Sequence, residues 1–407
     1  MNTQTFEILS PVGDLEKLYL AIEYGADAVY LGGEKFGLRT RAVNFTSESI
    51  KTAIKYVKES GKKIYITVNT FPFEFEMKAL EEYLEEMCLD QFAPDALIMS
   101  DFGAIKLAQK VLSQQKDNSL QKTSIHLSTQ ANTQSLQAAK FWFDQGIRRI
   151  ILGRECSLDL VYKIKKELPI EIEMFVQGSW CSAYSGHCTI SNFTSGRDSN
   201  RGGCAHSCRF HYESELIPNS TFLSSKDLKA LDYLHHMVQA NVDSFKIEGR
   251  MKNAMYLCLT TSIYRHKLDE ILNKNSNVEV NNGHASNILD EISPRGTTIG
   301  YMVEPNSKEN TIESEKKIQR EYLGIVVDSC PKKEYTIIDV KKKFSPTTTI
   351  ESFNSDFPKH SSYKFQCNKI YSLKDESLES TKPSSLVKIA YHPFLKKNSI
   401  LTMPTFS

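Results

Sequence analysis

Four of the nine cysteines in this 407-residue chain fall in one short stretch: Cys181, Cys188, Cys204 and Cys208, spaced Cys-x6-Cys-x15-Cys-x3-Cys. Thiols gathered this densely ligate a metal or react, since a thiolate is both a metal ligand and a nucleophile. Structural zinc usually takes close Cys-x2–4-Cys pairs, and only the last pair here is that tight. Iron–sulfur clusters accept wider and more varied spacing. The spacing therefore predicts an iron–sulfur cluster, with zinc and unliganded thiols as the alternatives. Gly178, Gly186, Gly196, Gly202 and Gly203 allow the backbone to turn tightly around a bulky inorganic core. Nearby His187, His206 and His211 read as polar surface or substrate-facing side chains, not ligands. The other five cysteines, Cys88, Cys156, Cys258, Cys330 and Cys367, are scattered and read as small buried hydrophobes.

Arg197, Arg201 and Arg209 interleave with Trp180, Tyr184, Phe193, Phe210 and Tyr212 around the cysteines. That mixture suits the phosphates and stacked bases of single-stranded RNA; the competing reading is loop packing with solvated arginines.

The elements that position this loop follow from hydrophobic periodicity. Strand-like runs occur at Glu7–Ser10, Ala28–Leu31, Lys63–Val68, Ala96–Met99, Ser124–Ser128, Arg149–Leu152, Ile170–Val176 and Ser244–Ile247. Helical spacing lies between them, as in Leu15, Leu18 and Ile22, in Leu80, Leu84 and Met87, and in Leu228, Leu231 and Leu234. Eight such units predict an α/β fold, a TIM-like (β/α)8 barrel, with a doubly wound open sheet as the alternative. The strand runs end in polar or glycine residues, including Ser10, Gly32, Asn69, Asp101, Gln130, Arg154, Gln177 and Glu248. In a barrel these converge on one face, although each alone is also a typical turn or cap residue.

About 50 residues separate the strand ending near Val176 from a helix expected near Lys226, and connections of that length are usually functional. The cysteines sit there. The expected organisation is a barrel over residues 1–300 with the metal loop at 177–225, a polar linker at 301–320, and a small antiparallel β-barrel domain at 321–407.

A net charge of +1 argues against a uniformly basic nucleic-acid coat. No leader-like start or run of roughly 18 apolar residues is evident, so the reading is cytoplasmic, with no membrane and no DNA as partner.

Several motifs together resemble the collagenase-like peptidase family, U32: EMFVQGSWCSAYSGHCTIS at Glu173–Ser191, EILSPVGDLEKL near the start, GADAVYLGGEKFGLRTRAVNF, HLSTQANT at 126–133 and KIEGRMKN at 246–253. The resemblance covers nearly the whole chain. It implies an RNA-modifying hydroxylase with a [4Fe-4S] cluster on the four cysteines, most similar to the branch that 5-hydroxylates the wobble uridine of tRNA, with prephenate as co-substrate; prephenate and dioxygen both stand as the oxygen donor. It also implies His126, Gln130, Arg154, Glu155, Lys246, Glu248 and Arg250 as catalytic candidates. Arg39, Arg41 and Asn44 match further pocket positions and, with Arg197 and Arg201, are substrate-binding candidates. Where the family commonly carries Gln-Pro between the last two cysteines, this chain has His206-Ser207; ligation is expected to survive the change and substrate preference to shift.

Two other readings stand beside this one. A peptidase, the activity that names the family, would want a His-Glu-x-x-His helix, a Gly-x-Ser-x-Gly elbow or a single activated thiol; the first two are absent from the sequence. A zinc-stabilised RNA-binding module would use the loop structurally.

Overall fold

The computed structural model describes residues 5–38, 44–89, 92–114, 122–213, 221–272, 282–303 and 318–405. The chain clusters into two compact units. The first comprises Met1–Ile22, Ala26–Met251 and Arg295–Glu315, and the second Glu23–Gly25, Lys252–Pro294 and Lys316–Ser407.

In the first unit, apolar runs buried on both faces form parallel strands: β1 (Glu7–Pro11), β2 (Ala28–Gly32), β3 (Lys63–Val68), β4 (Ala96–Met99), β5 (Ser124–Leu127), β6 (Arg149–Ile151) and β7 (Glu171–Ser179). After a short β8 (Asp227–Lys229) comes β9 (Ser244–Ile247), which pairs in parallel with both β7 and β1. That double pairing closes an eight-stranded parallel barrel and excludes the open doubly wound sheet. Helices α1 (Leu15–Glu23), α2 (Ser47–Glu59), α3 (Met77–Cys88), α4 (Phe102–Leu112), α5 (Leu136–Asp144) and α6 (Leu158–Glu167) follow the first six strands. Their starts are capped locally: Asp101 accepts from the Ala104 amide at 2.8 Å and Ser135 from the Ala138 amide at 3.1 Å. Asp101, one of the polar strand ends, is thus a helix cap.

The seventh connection departs from the expected pattern. β7 runs three residues past Val176 and pairs antiparallel with β8, which in turn pairs with β10 (Thr297–Thr298). Leu228 therefore lies on a strand, not on the expected helix. The connection holds α7 (Ile190–Ser195), and a short α8 (Leu234–Gln239) precedes β9. Spacing of three between Leu228, Leu231 and Leu234 mimics a helix, but pairing on both edges of β8 outweighs that weak periodicity, and an ion pair from Arg295 to Asp227 holds the strand in place.

The second unit holds α9 (Ala254–Leu272), α10 (Asn282–Glu291) and an antiparallel sheet of eight strands: β11 (Arg320–Cys330), β12 (Tyr335–Val340), β13 (Ile350–Phe353), β14 (Tyr363–Phe365), β15 (Ile370–Tyr371), β16 (Ser377–Leu378), β17 (Leu386–Ala390) and β18 (Ile400–Pro404). Their order is β14-β13-β18-β11-β12-β17-β15-β16. Alternate residues such as Val326, Ile338, Val387 and Leu401 fill its core. Among the described residues no helix is long and apolar enough to cross a membrane.

Candidate active site

The C-terminal strand ends open onto a cavity lined by Tyr30, Thr67, Asn69, Gln130, Arg154, Phe175, Lys246, Glu248 and Arg250, among others. Three cations line it, each held differently. Lys246, on β9, donates to Glu173 Oε1 at 2.6 Å, and its ammonium lies 4.4 Å from the Tyr30 ring centroid. Arg250 follows β9 and donates from Nη2 to the Leu38 carbonyl at 2.7 Å and to Asn44 Oδ1 at 3.1 Å. Its approach explains a glycine at the end of β2: a Cβ on Gly32 would stand 1.9 Å from Arg250 Nη1. Arg154 lies over the Phe175 ring at 4.6 Å. Beside them, Gln130 sits in a single turn after β5, pinned where Thr129 Oγ1 donates to the Leu152 carbonyl at 3.0 Å. Asn69 donates to Gln130 Oε1 at 3.4 Å and accepts from the Leu38 amide at 3.1 Å.

A second cavity shares Leu38, Gln130 and Arg154 with the first and is lined by all four of Cys181, Cys188, Cys204 and Cys208. The loop's own bonds set its path. Glu155 Oε1 accepts from the Ser185 amide at 2.8 Å, and the Arg154 amide donates to Ser185 Oγ at 3.2 Å. Asn200 Nδ2 donates to the Cys188 carbonyl at 3.1 Å and Arg197 Nη2 to the Cys204 carbonyl at 3.2 Å. Arg201 ties the loop to the segment after β3: it pairs with Glu76 at 2.8 Å and lies 3.9 Å over the Phe73 ring.

The closest approach is at Gly186, whose φ is +78° and whose added Cβ would meet the Gln130 carbonyl oxygen at 2.0 Å. Replacing Gly186 with alanine is expected to lift the loop off the strand ends, at a cost of about 1–3 kcal/mol in backbone strain alone. Limited proteolysis should then cut within 181–208 faster than in the wild type; an unchanged cleavage rate would contradict the docking.

All four thiols are partly exposed to the shared cavity, unlike Cys88 and Cys156, where burial pushes the thiols up to about 12. Burial also raises Cys208, opposed by a hydrogen bond from Ser182 and by the charge of Arg209. Among the described residues no group of three or more His, Cys, Asp or Glu is placed to hold a metal ion. The four thiols line one cavity. An all-sulfur donor set around a cavity fits a bulky sulfide-bridged cluster, which soft thiolates favour.

The other candidate residues divide. Gln130, Arg154, Lys246, Glu248 and Arg250 come together at the mouth, with Asn44 on Arg250. His126 lines neither cavity: it is buried inside the barrel, with Nε2 3.3 Å from Ser124 Oγ, its ring edge-on to Tyr65 and Nδ1 without a partner. Burial first, then the charges of Arg149, Lys246 and Lys63, hold its pKa well below the usual imidazole value, so it is neutral at neutral pH. This serine–histidine pair lacks the orienting acceptor on Nδ1 that a hydrolytic relay needs. Glu155 braces the loop and lines a recess with Gln134 and Tyr301 that shares Cys181, Ser182 and Tyr184 with the thiol cavity. Arg197 and Arg201 are engaged within the loop and its anchor, as described. Arg39 and Arg41 lie outside the described residues.

Trp180, read as a base-stacking aromatic, is 6% exposed and packs against Gly300 and Tyr301; Tyr184, Phe193, Phe210 and Phe222 of the loop are exposed. Sequence reading missed Thr67, Phe175 and Glu173. A carboxylate in the middle of an apolar strand was the available signal for Glu173.

The model of peptidase family U32 matches residues 13–312. The tRNA hydroxylation protein P1 of Bacillus subtilis is 33% identical over 368 residues, spanning 87% of this chain and 85% of that protein. The tRNA hydroxylation protein P of Helicobacter pylori is 40% identical over 315 residues, 73% of this chain and 71% of that protein. The 23S rRNA 5-hydroxycytidine C2501 synthase of Escherichia coli is 34% identical over 278 residues, 67% of this chain and 40% of that protein. With a family match across most of the barrel and relatives of this similarity along most of its length, the chain belongs to peptidase family U32.

Proposed function

We propose that this chain is an RNA hydroxylase that acts on C5 of the wobble uridine of tRNA, with a [4Fe-4S] cluster on Cys181, Cys188, Cys204 and Cys208 and prephenate as hydroxyl donor. Relatives named for hydroxylation of tRNA and of ribosomal cytidine support the reaction class. The observation that carries it is the shared wall: Gln130 and Arg154 line both the thiol cavity and the strand-end cavity, so a group held by the thiols faces a base held at the strand ends.

When bound, the cluster supplies redox chemistry. The chain's residues do the rest. A base reaches the mouth only when splayed out of its stack. The carboxamides of Gln130 and Asn69 offer both donors and acceptors for a pyrimidine edge. Arg154 and Arg250 suit the carboxylates of an anionic donor, while the charge of Lys246 is matched by Glu173.

The test is mass spectrometry of tRNA nucleosides from cells with and without the gene. Loss of 5-hydroxyuridine-type nucleosides is expected; unchanged levels would overturn the tRNA reading.

A further inference from the structure

The second unit carries a group of aromatic rings that its core does not require. Tyr363 and Phe365 lie on β14, an edge strand of the sheet, and His392 and Phe394 follow β17. Tyr363 is 4.3 Å from His392, 4.8 Å from Phe394 and 5.8 Å from Phe365 between ring centroids, with planes 31°, 22° and 14° apart. His392 and Phe394 are 5.6 Å apart at 30°, so no pair in the group is edge-on. Only Phe365 packs against the apolar core, and Phe394 is 56% exposed. Polar contacts hold the rings: the Tyr363 hydroxyl lies 2.6 Å from His392 Nε2, and the Phe394 amide donates to His392 Nδ1 at 3.4 Å.

Charge identifies the occupant. Residues 318–405 contain thirteen lysines and one arginine against nine carboxylates, although the whole chain carries only +1. Lys396 and Lys397 follow Phe394 directly after Leu395, and both are exposed. Lys396 is paired with Asp356 at 3.2 Å. A partly exposed group of rings in a lysine-rich unit is a combination that binds single-stranded nucleic acid, since every base has a face to stack and every nucleotide a phosphate to neutralise.

We infer that the Tyr363–His392–Phe394 stack is a docking platform for unpaired nucleotides of RNA, a surface of the second unit additional to the cavities of the first. One base stacks on Phe394, and Lys397 meets a neighbouring phosphate. The inference rests on RNA being the partner, as proposed above.

The experiment measures binding of the full-length protein to a fluorescent single-stranded RNA and to tRNA, by anisotropy at two salt concentrations. Phe394→Ala, at an exposed position, is expected to weaken RNA binding roughly tenfold with little change in salt dependence. Lys397→Glu is expected to weaken it and to flatten the salt dependence. Both variants should keep the wild-type melting temperature. Wild-type affinity in both variants overturns the platform and leaves RNA modification standing. A wild-type protein that binds neither RNA overturns the platform together with the reading on which it rests.

Discussion

Cys208→Ser is expected to strip iron and inorganic sulfide from anaerobically prepared protein and to reduce tRNA hydroxylation by roughly a hundredfold or more, since changes even outside a metal's direct ligands cost 10–100-fold. Serine keeps the shape and removes the soft donor. The loop around position 208 does not depend on the thiol for its path. The Arg209 amide donates to the His206 carbonyl at 2.8 Å, the Phe210 amide to Ser207 at 3.1 Å, and the Tyr212 hydroxyl to the Ser207 carbonyl at 2.7 Å. A loss of iron would therefore report ligation and not collapse, which an unchanged melting profile of the metal-free forms would verify. Cys156→Ser serves as the control: that thiol is buried, donates to the Thr133 carbonyl at 3.3 Å and lines neither cavity, so iron should remain. Wild-type iron and sulfide in Cys208→Ser, and likewise in the serine variants of Cys181, Cys188 and Cys204, would sink the cluster assignment; stoichiometric zinc in place of iron would favour the structural-metal alternative.

What the sequence disclosed follows from which interactions are local. The barrel strands were legible to within a few residues because each is an apolar run bounded by polar turns, and burial on both faces makes the run continuous. That the four clustered cysteines line one cavity was legible from their nearness in the chain. Contacts made at long range were not. Arg201 looked like a phosphate ligand beside local aromatics, but its partners are Phe73 and Glu76, 128 and 125 residues earlier in the chain. Trp180 looked like a stacking ring until the Gly300 turn covered it. β8 was hidden because three residues hold no period. The largest omission was the charge inside the barrel: mid-strand Glu173 and strand-initiating Glu7 and Arg149 sit in runs that otherwise read as uniformly apolar, and attention to strand ends passes over them.

That interior charge carries the largest stability effect. Arg149, 4% exposed, donates to Glu7 Oε1 at 2.7 Å and to Glu171 Oε2 at 2.7 Å, and stands 3.5 Å from Glu173. Glu7 also accepts from Tyr65 at 2.7 Å and Ser244 at 2.8 Å. Arg149→Met keeps much of the volume and leaves Glu7 with only the half-exposed Lys63 at 3.5 Å, while Glu173 keeps Lys246; breaking a buried pair costs about 3–5 kcal/mol and should lower the melting temperature by roughly 5–15 °C. The pH dependence separates this cause from lost packing. Burial pushes the Glu7 carboxyl up, but Arg149 outweighs it through charge and hydrogen bonding, so the folded value lies below the ordinary 4.5. A carboxylate depressed in the folded state stabilises above its ordinary value, and that contribution is lost as pH falls through the folded value. In the variant burial remains while Arg149 is gone, so the carboxyl rises and protonation relieves the penalty. The gap in melting temperature between wild type and variant should accordingly be widest near neutral pH and narrow as pH falls below about 5. A gap that stays constant from neutral pH into the acid range would mean that Arg149 acts by filling space, and the buried carboxylates would then need another explanation for remaining ionised.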